Sequence, residues 1–128
     1  IRDPIRSRGL GDVYKRQFLM SLKESKCEAC RIDAPKVTDI EKQEFLKELI
    51  DWEIIDNSGI DQLVKTFNFD SYQDASVFTQ KVANLADHED HHPKIILEYG
   101  KVEVFWWSHK IKGLHKNDFI CAAKTDLL

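Results

Sequence analysis

All five histidines of this chain, His88, His91, His92, His109 and His115, lie in its last 41 residues. Histidine is the side chain that most readily both gives and takes protons near neutrality. A cluster of them at an element junction is a candidate acid–base site. His91 and His92 are adjacent and precede Pro93, which biases His92 toward extended backbone. The two rings should therefore leave a helix end in different directions. Asp118, read from the residues alone, is a helix-capping residue. For His115, in a polar stretch, and for His88, a solvated or packing role is the expectation.

Two metal readings compete. His88-Glu89-Asp90-His91-His92 formally matches the zinc pattern H-E-x-x-H. That pattern needs both ligands on one face of an uninterrupted helix. Pro93 directly after His92 makes the last turn unsuitable, so no metal ligand is assigned. Cys27 and Cys30 form one C-x-x-C pair, half a zinc site, and Cys121 lies far along the chain. No function is assigned to the pair.

The elements that must position these residues follow from the patterning. Thr38-Asp39-Ile40-Glu41 fits a capping box. Phe45, Leu46, Leu49 and Ile50 recur at helical spacing, which predicts a helix over 39–50. Residues 52–55 read as a strand, Asn57-Ser58-Gly59 as a turn, and 63–69 as a second strand alternating about Leu63, Lys65, Phe67 and Phe69. Ser71 can cap a helix with the stripe Ala75, Phe78, Val82, Leu85 and Ala86, running to about His88 or Asp90 before Pro93. Strands are expected over 95–99 and 102–108. A last helix, capped by Asn117 or His115, should turn Phe119, Ile120, Ala123 and Leu127 inward. The order α-β-β-α-β-β-α predicts an α+β fold, with a four-stranded antiparallel sheet and helices packed on one face.

Composition bounds the rest. The chain has 128 residues and fits one domain of residues 37–128, preceded by a polar arm over 20–36. Residues 1–19 carry five basic and two acidic groups, leaving 19 − 5 = 14 basic against 22 − 2 = 20 acidic in the remainder. That acidic body would repel a phosphate backbone, so direct nucleic-acid binding is not expected. No apolar run approaches the roughly 20 residues that span a bilayer, so no membrane role is expected. Three cysteines, an odd count, with no apolar signal region, point to the reducing cytoplasm. Residues 1–19 show no periodicity. They read as a disordered basic tail or as non-native sequence resembling translated adaptor, with Met20 as the true start.

One pattern is more specific. Asp87, three residues, His91-His92-Pro93, five residues, Tyr99, nine residues, His109, eight residues and Asp118 specify seven positions over 32 residues. This spacing resembles the signature of the bacterial pterin-4a-carbinolamine dehydratases. Trp52, Phe67-Asn68-Phe69, Val82-Ala83, Val102, Val104 and Gly113-Leu114 extend the resemblance, as do Cys27 to Cys30 and Ala34-Pro35-Lys36-Val37. Asp87 stands where many members have glutamate, and Asn117 where animal members often have arginine.

The resemblance implies dehydration of 4a-hydroxytetrahydrobiopterin to quinonoid dihydropterin. This recycles the pterin of aromatic amino-acid hydroxylases. An acid must protonate the leaving hydroxyl, and a base must take the proton from ring nitrogen N5. It implies His91, His92 and His109 as the acid–base set, with acid and base unassigned. Asp118 and Asp87 would support them. Asp90, Pro93, Trp107, Ser108 and Lys110 would contact substrate. No cofactor or metal is implied. A homodimer or homotetramer is, with a possible functional link to a hydroxylase. A rival reading is a binding role, as a dimerisation cofactor or regulator of transcription, with subunits joined through a sheet edge or through Val104 to Trp107. No basic pocket for a phosphorylated or polyglutamylated pterin tail is evident in the sequence.

Overall fold

A computed structural model describes Leu22 and residues 35–128. The expectations for 1–19, for most of the 20–36 arm and for Cys27 and Cys30 lie outside the described residues. Among the described residues, three helices and four strands follow in the order α-β-β-α-β-β-α: α1 Asp39–Leu46, β1 Glu53–Asn57, β2 Ile60–Asn68, α2 Tyr72–Glu89, β3 Lys94–Glu98, β4 Lys101–Trp106 and α3 Lys116–Thr125. The sheet is antiparallel throughout, in the order β1-β2-β4-β3. Among the described residues, no helix is long and apolar enough to cross a membrane.

Register decides which residues form the core. Leu63 pairs with Trp106, Lys65 with Val104 and Phe67 with Val102, while Ile95 and Leu97 flank the same row from β3. Side chains alternate across a strand, so this row shares the face toward α2 and α3. Leu63, Val102, Val104 and Trp106 are fully buried there, against Ala75, Phe78, Val82 and Ala86 of α2 and Phe119, Ile120 and Ala122 of α3. The two β-hairpins and the helical cover match the predicted fold class. Strand β4 is interior to the sheet, whose edges are β1 and β3.

Local chemistry sets the helix starts. The Thr38 hydroxyl accepts from the Glu41 N–H, and the Glu41 carboxylate accepts from the Thr38 N–H, completing the capping box. Thr38→Ala should cost about 1 kcal/mol, read as a lower denaturation midpoint at unchanged slope. An unshifted midpoint would mean that α1 contributes nothing to global stability. Ser71 caps α2 through the Asp74 N–H.

Two helix ends differ from expectation. The first helix stops at Leu46, not at 50, and the chain turns through Asp51 at φ 70°. This reversal buries Leu49 and Trp52 and leaves Ile50 exposed. The last helix ends at Thr125, so Leu127 is 63% exposed and does not face inward. Instead Asp126 closes this end of the core, accepting from the Trp52 indole N–H at 3.1 Å and from Lys65 Nζ at 2.8 Å.

Candidate active site

The site begins where α2 ends. Asp90 adopts left-handed backbone, φ 52° and ψ 42°, a conformation that Asp tolerates better than most residues. Its N–H and that of His91 both return to the last turn, at Ala86 and Asp87. The helix is therefore stopped at Asp90, before Pro93 can act. This break also separates His88 from His92, so the uninterrupted helical face required by H-E-x-x-H is not formed. Glu89, the base of that pattern, pairs with Lys124 at 2.9 Å.

Leaving the helix, the chain sends His91 inward and His92 outward. His91 is 6% exposed, and its Nε2 lies 2.6 Å from Asp118 Oδ1. Asp118 is fully buried at the start of α3. Its Oδ2 accepts from Ser108 Oγ at 2.8 Å and from the His115 N–H at 2.9 Å. A carboxylate with two such donors is an acceptor, so His91 Nε2 must carry the proton that bridges them. The neutral ring then has its free lone pair on Nδ1. The ring also lies parallel to the indole of Trp106, with 5.7 Å between centroids and 4° between planes. Trp106 is held in turn by donating from Nε1 to Thr125 Oγ1 at 3.1 Å.

His92 is exposed, and its Nε2 lies 3.1 Å from Asp87 Oδ1, itself exposed. His109 is also exposed and stacks on Trp107 with centroids 4.3 Å apart and planes 4° from parallel. It sits in a tight loop closed by the bridge between Ser108 and Gly113. Since Lys94 at the start of β3 pairs with Phe105 near the end of β4, all three histidines come to one end of the sheet.

The structure thus divides the sequence-predicted residues. His91, Asp118 and Ser108 form one buried hydrogen-bonded unit. His92 with Asp87, and His109, stand at the surface together with Asp90 and Lys110, while Pro93 and Trp107 are half-buried. Ser108, which the resemblance places against substrate, is fully buried and donates to Asp118. His115, one of the two candidate caps of the last helix, is the one that caps α3, accepting from the Asn117 N–H on Nδ1 at 3.0 Å. Trp106 is a site residue that the histidine pattern does not single out. The alternation Val102, Val104, Trp106 was the available signal that it faces inward, where His91 meets it.

Residues 35–128 match the family described as pterin 4 alpha carbinolamine dehydratase. The chain belongs to that family. The dehydratase-family chain is 57% identical over 108 residues to a protein of Photobacterium profundum provisionally named a pterin-4-alpha-carbinolamine dehydratase, covering 84% of this chain and 96% of the relative. A protein of Vibrio vulnificus with the same provisional name is 56% identical over 105 residues, 82% of this chain and 96% of that one. Among solved structures, a transcriptional coactivator/pterin dehydratase from Brucella melitensis superposes with a TM-score of 0.67 at 27% identity, over 73% of this chain and 97% of that one. A pterin dehydratase-like protein identified as a RuBisCO assembly factor shares the fold, with a TM-score of 0.52 at 21% identity over 62% of this chain and 90% of that one.

Proposed function

We propose that this chain dehydrates 4a-hydroxytetrahydrobiopterin to quinonoid dihydropterin and water. It would act in the cytoplasm as a homodimer or homotetramer and recycle the pterin of an aromatic amino-acid hydroxylase. The observation that carries the reading is the buried His91–Asp118 pair beside two exposed histidines, in a chain of this family.

The reaction breaks the C4a–O bond and removes the proton on N5, forming the C4a=N5 double bond. Both proton transfers suit imidazole and need no metal ion. His91 is the base. Its Nε2 proton is committed to Asp118, so Nδ1 takes the N5 proton, and the carboxylate stabilises the imidazolium that forms. Ser108 and the His115 N–H hold that carboxylate in place. The acid is His92 or His109, since both stand at the surface where the departing water is released. Asp87 orients His92. Trp107, stacked on His109, extends an aromatic plane against which a pterin ring can lie. Asp90, Pro93 and Lys110 border that plane.

Stopped-flow absorbance with freshly generated 4a-hydroxytetrahydropterin and chelator-treated protein tests the activity. Rapid dehydration well above the buffer rate is expected. A rate equal to buffer, or one that returns only with added metal, contradicts this reading.

The Brucella neighbour's description as a coactivator favours one second reading, a binding protein whose catalysis is dispensable. The paired variants His91→Ala and His92→Ala separate the two. A partner-binding role would survive them, whereas dehydration would not.

A further inference from the structure

We propose that the cleft lined by Lys36, Lys42 and Lys112 binds a phosphate group, at a site separate from the histidines. Segments far apart in the sequence build it: the stretch before α1 together with Lys42 of α1, the β1–β2 turn together with Asp61 of β2, and the return side of the loop that carries His109. Its lining is Lys36, Val37, Lys42, Gly59, Asp61, Lys112, Gly113 and Leu114, with a volume of about 100 Å³. A single water needs only about 10–15 Å³ of such space, so the cleft has room for a small oxyanion.

Charge points to the ligand's sign. The lining carries three lysines and one aspartate, a balance of 3 − 1 = +2, in a chain whose net charge is −3. Asp61 is already engaged, accepting from Lys42 Nζ at 2.8 Å, and Asp39 at the start of α1 lies 3.5 Å from the same nitrogen, so the uncompensated charge of the cleft is that of Lys36 and Lys112. That hydrogen bond, opposed by partial burial, holds Lys42 protonated above the ordinary lysine range. Among the described residues, Lys36 and Lys112 have no carboxylate within salt-bridge distance. Like charges gathered in one concave place repel, and an anion between them relieves the repulsion.

The cleft is also built with some rigidity. The Val37 N–H donates to the Leu114 carbonyl at 2.9 Å, which fixes Lys36 beside the loop. The Lys36 side chain lies across Gly113, where an added Cβ would meet its Cδ and Cε at 3.2 and 3.1 Å. Lys112 is held at φ 52° by the closed loop. None of His91, His92 and His109 lines the cleft. Gly113, which does, exchanges backbone hydrogen bonds with Ser108, next to His109.

Titration of the full chain with inorganic phosphate at constant ionic strength, followed by the amide resonances of Gly59, Gly113 and Leu114, tests the site. Saturable shifts are expected, with a Kd on the order of 1 mM. The double variant Lys36→Ala, Lys112→Ala should weaken binding at least about tenfold with the amide spectrum otherwise intact, and Lys36→Arg, Lys112→Arg should restore it. Linear, unsaturated shifts, equal shifts with chloride, or unchanged affinity in the alanine variant would overturn the proposal. A parallel titration with a pterin bearing a phosphate monoester on its side chain identifies the source. Binding about tenfold tighter than free phosphate assigns the site to a ligand's tail, and equal affinity assigns it to the free anion.

Discussion

His91→Ala is expected to lower kcat/KM for dehydration by about 10²–10⁴-fold, the range typical for loss of one positioned proton-transfer group. The buried position of His91 makes the expectation specific. Its Nε2 is tied to Asp118 and its plane is set against Trp106, so no other side chain can take over its geometry. His92 is 60% exposed and its partner Asp87 82% exposed. Solvent can share its task, so His92→Ala should fall at the lower end of that range. Added imidazole should rescue His91→Ala in part if the lost function is proton transfer at Nδ1. Stopped-flow rates of both variants, with and without imidazole, provide the check. A His91 variant that keeps the parent rate removes His91 from the mechanism.

Asp118→Asn should produce the largest loss of stability from a one-atom-scale change, about 2–4 kcal/mol. The fully buried carboxylate accepts from three donors: His91 Nε2, Ser108 Oγ and the His115 N–H. An asparagine amide can accept from at most two of them without turning its own NH₂ against a third. The loss therefore combines a missing charge-assisted bond with a buried donor facing a donor. Trp106 and the α3 cap depend on the same junction, so the damage should reach the end of α2 as well. Chemical denaturation of the variant, alongside Ser108→Ala, measures it. Ser108→Ala removes one neutral donor and should cost only about 1 kcal/mol. Equal losses for the two would show that the charge on Asp118 has no special role.

These two residues also mark how far the sequence could be read. The element order, the capping box at Thr38 and the Ser71 cap were legible, because they depend on local rules: period 2 for strands, period 3.6 for helices, and fixed side-chain offsets at helix starts. The histidine spacing was legible as well, since it is carried by residue types along a continuous stretch. Two helix ends were not. Ile50 and Leu127 continue the apolar pattern, but the chain reverses at Asp51 and α3 ends at Thr125, where Trp52 and Lys65 claim Asp126. Those partners lie 74 and 61 residues away, beyond any local pattern.

The residue types able to move protons at neutral pH, and their spacing, belong to the sequence alone. Only the tertiary structure decided which of them are buried. Ser108 and Trp107 are neighbours in the chain just past β4, yet one is buried and holds Asp118 while the other stacks on His109. The same is true of the lysine cleft. Lys36, Lys42 and Lys112 read as unrelated surface charges until the Val37–Leu114 hydrogen bond and the Lys42–Asp61 pair bring them around one space. Charges distant in sequence acquire a common field only when folding sets their separation, and spacing along the chain carries no record of that distance.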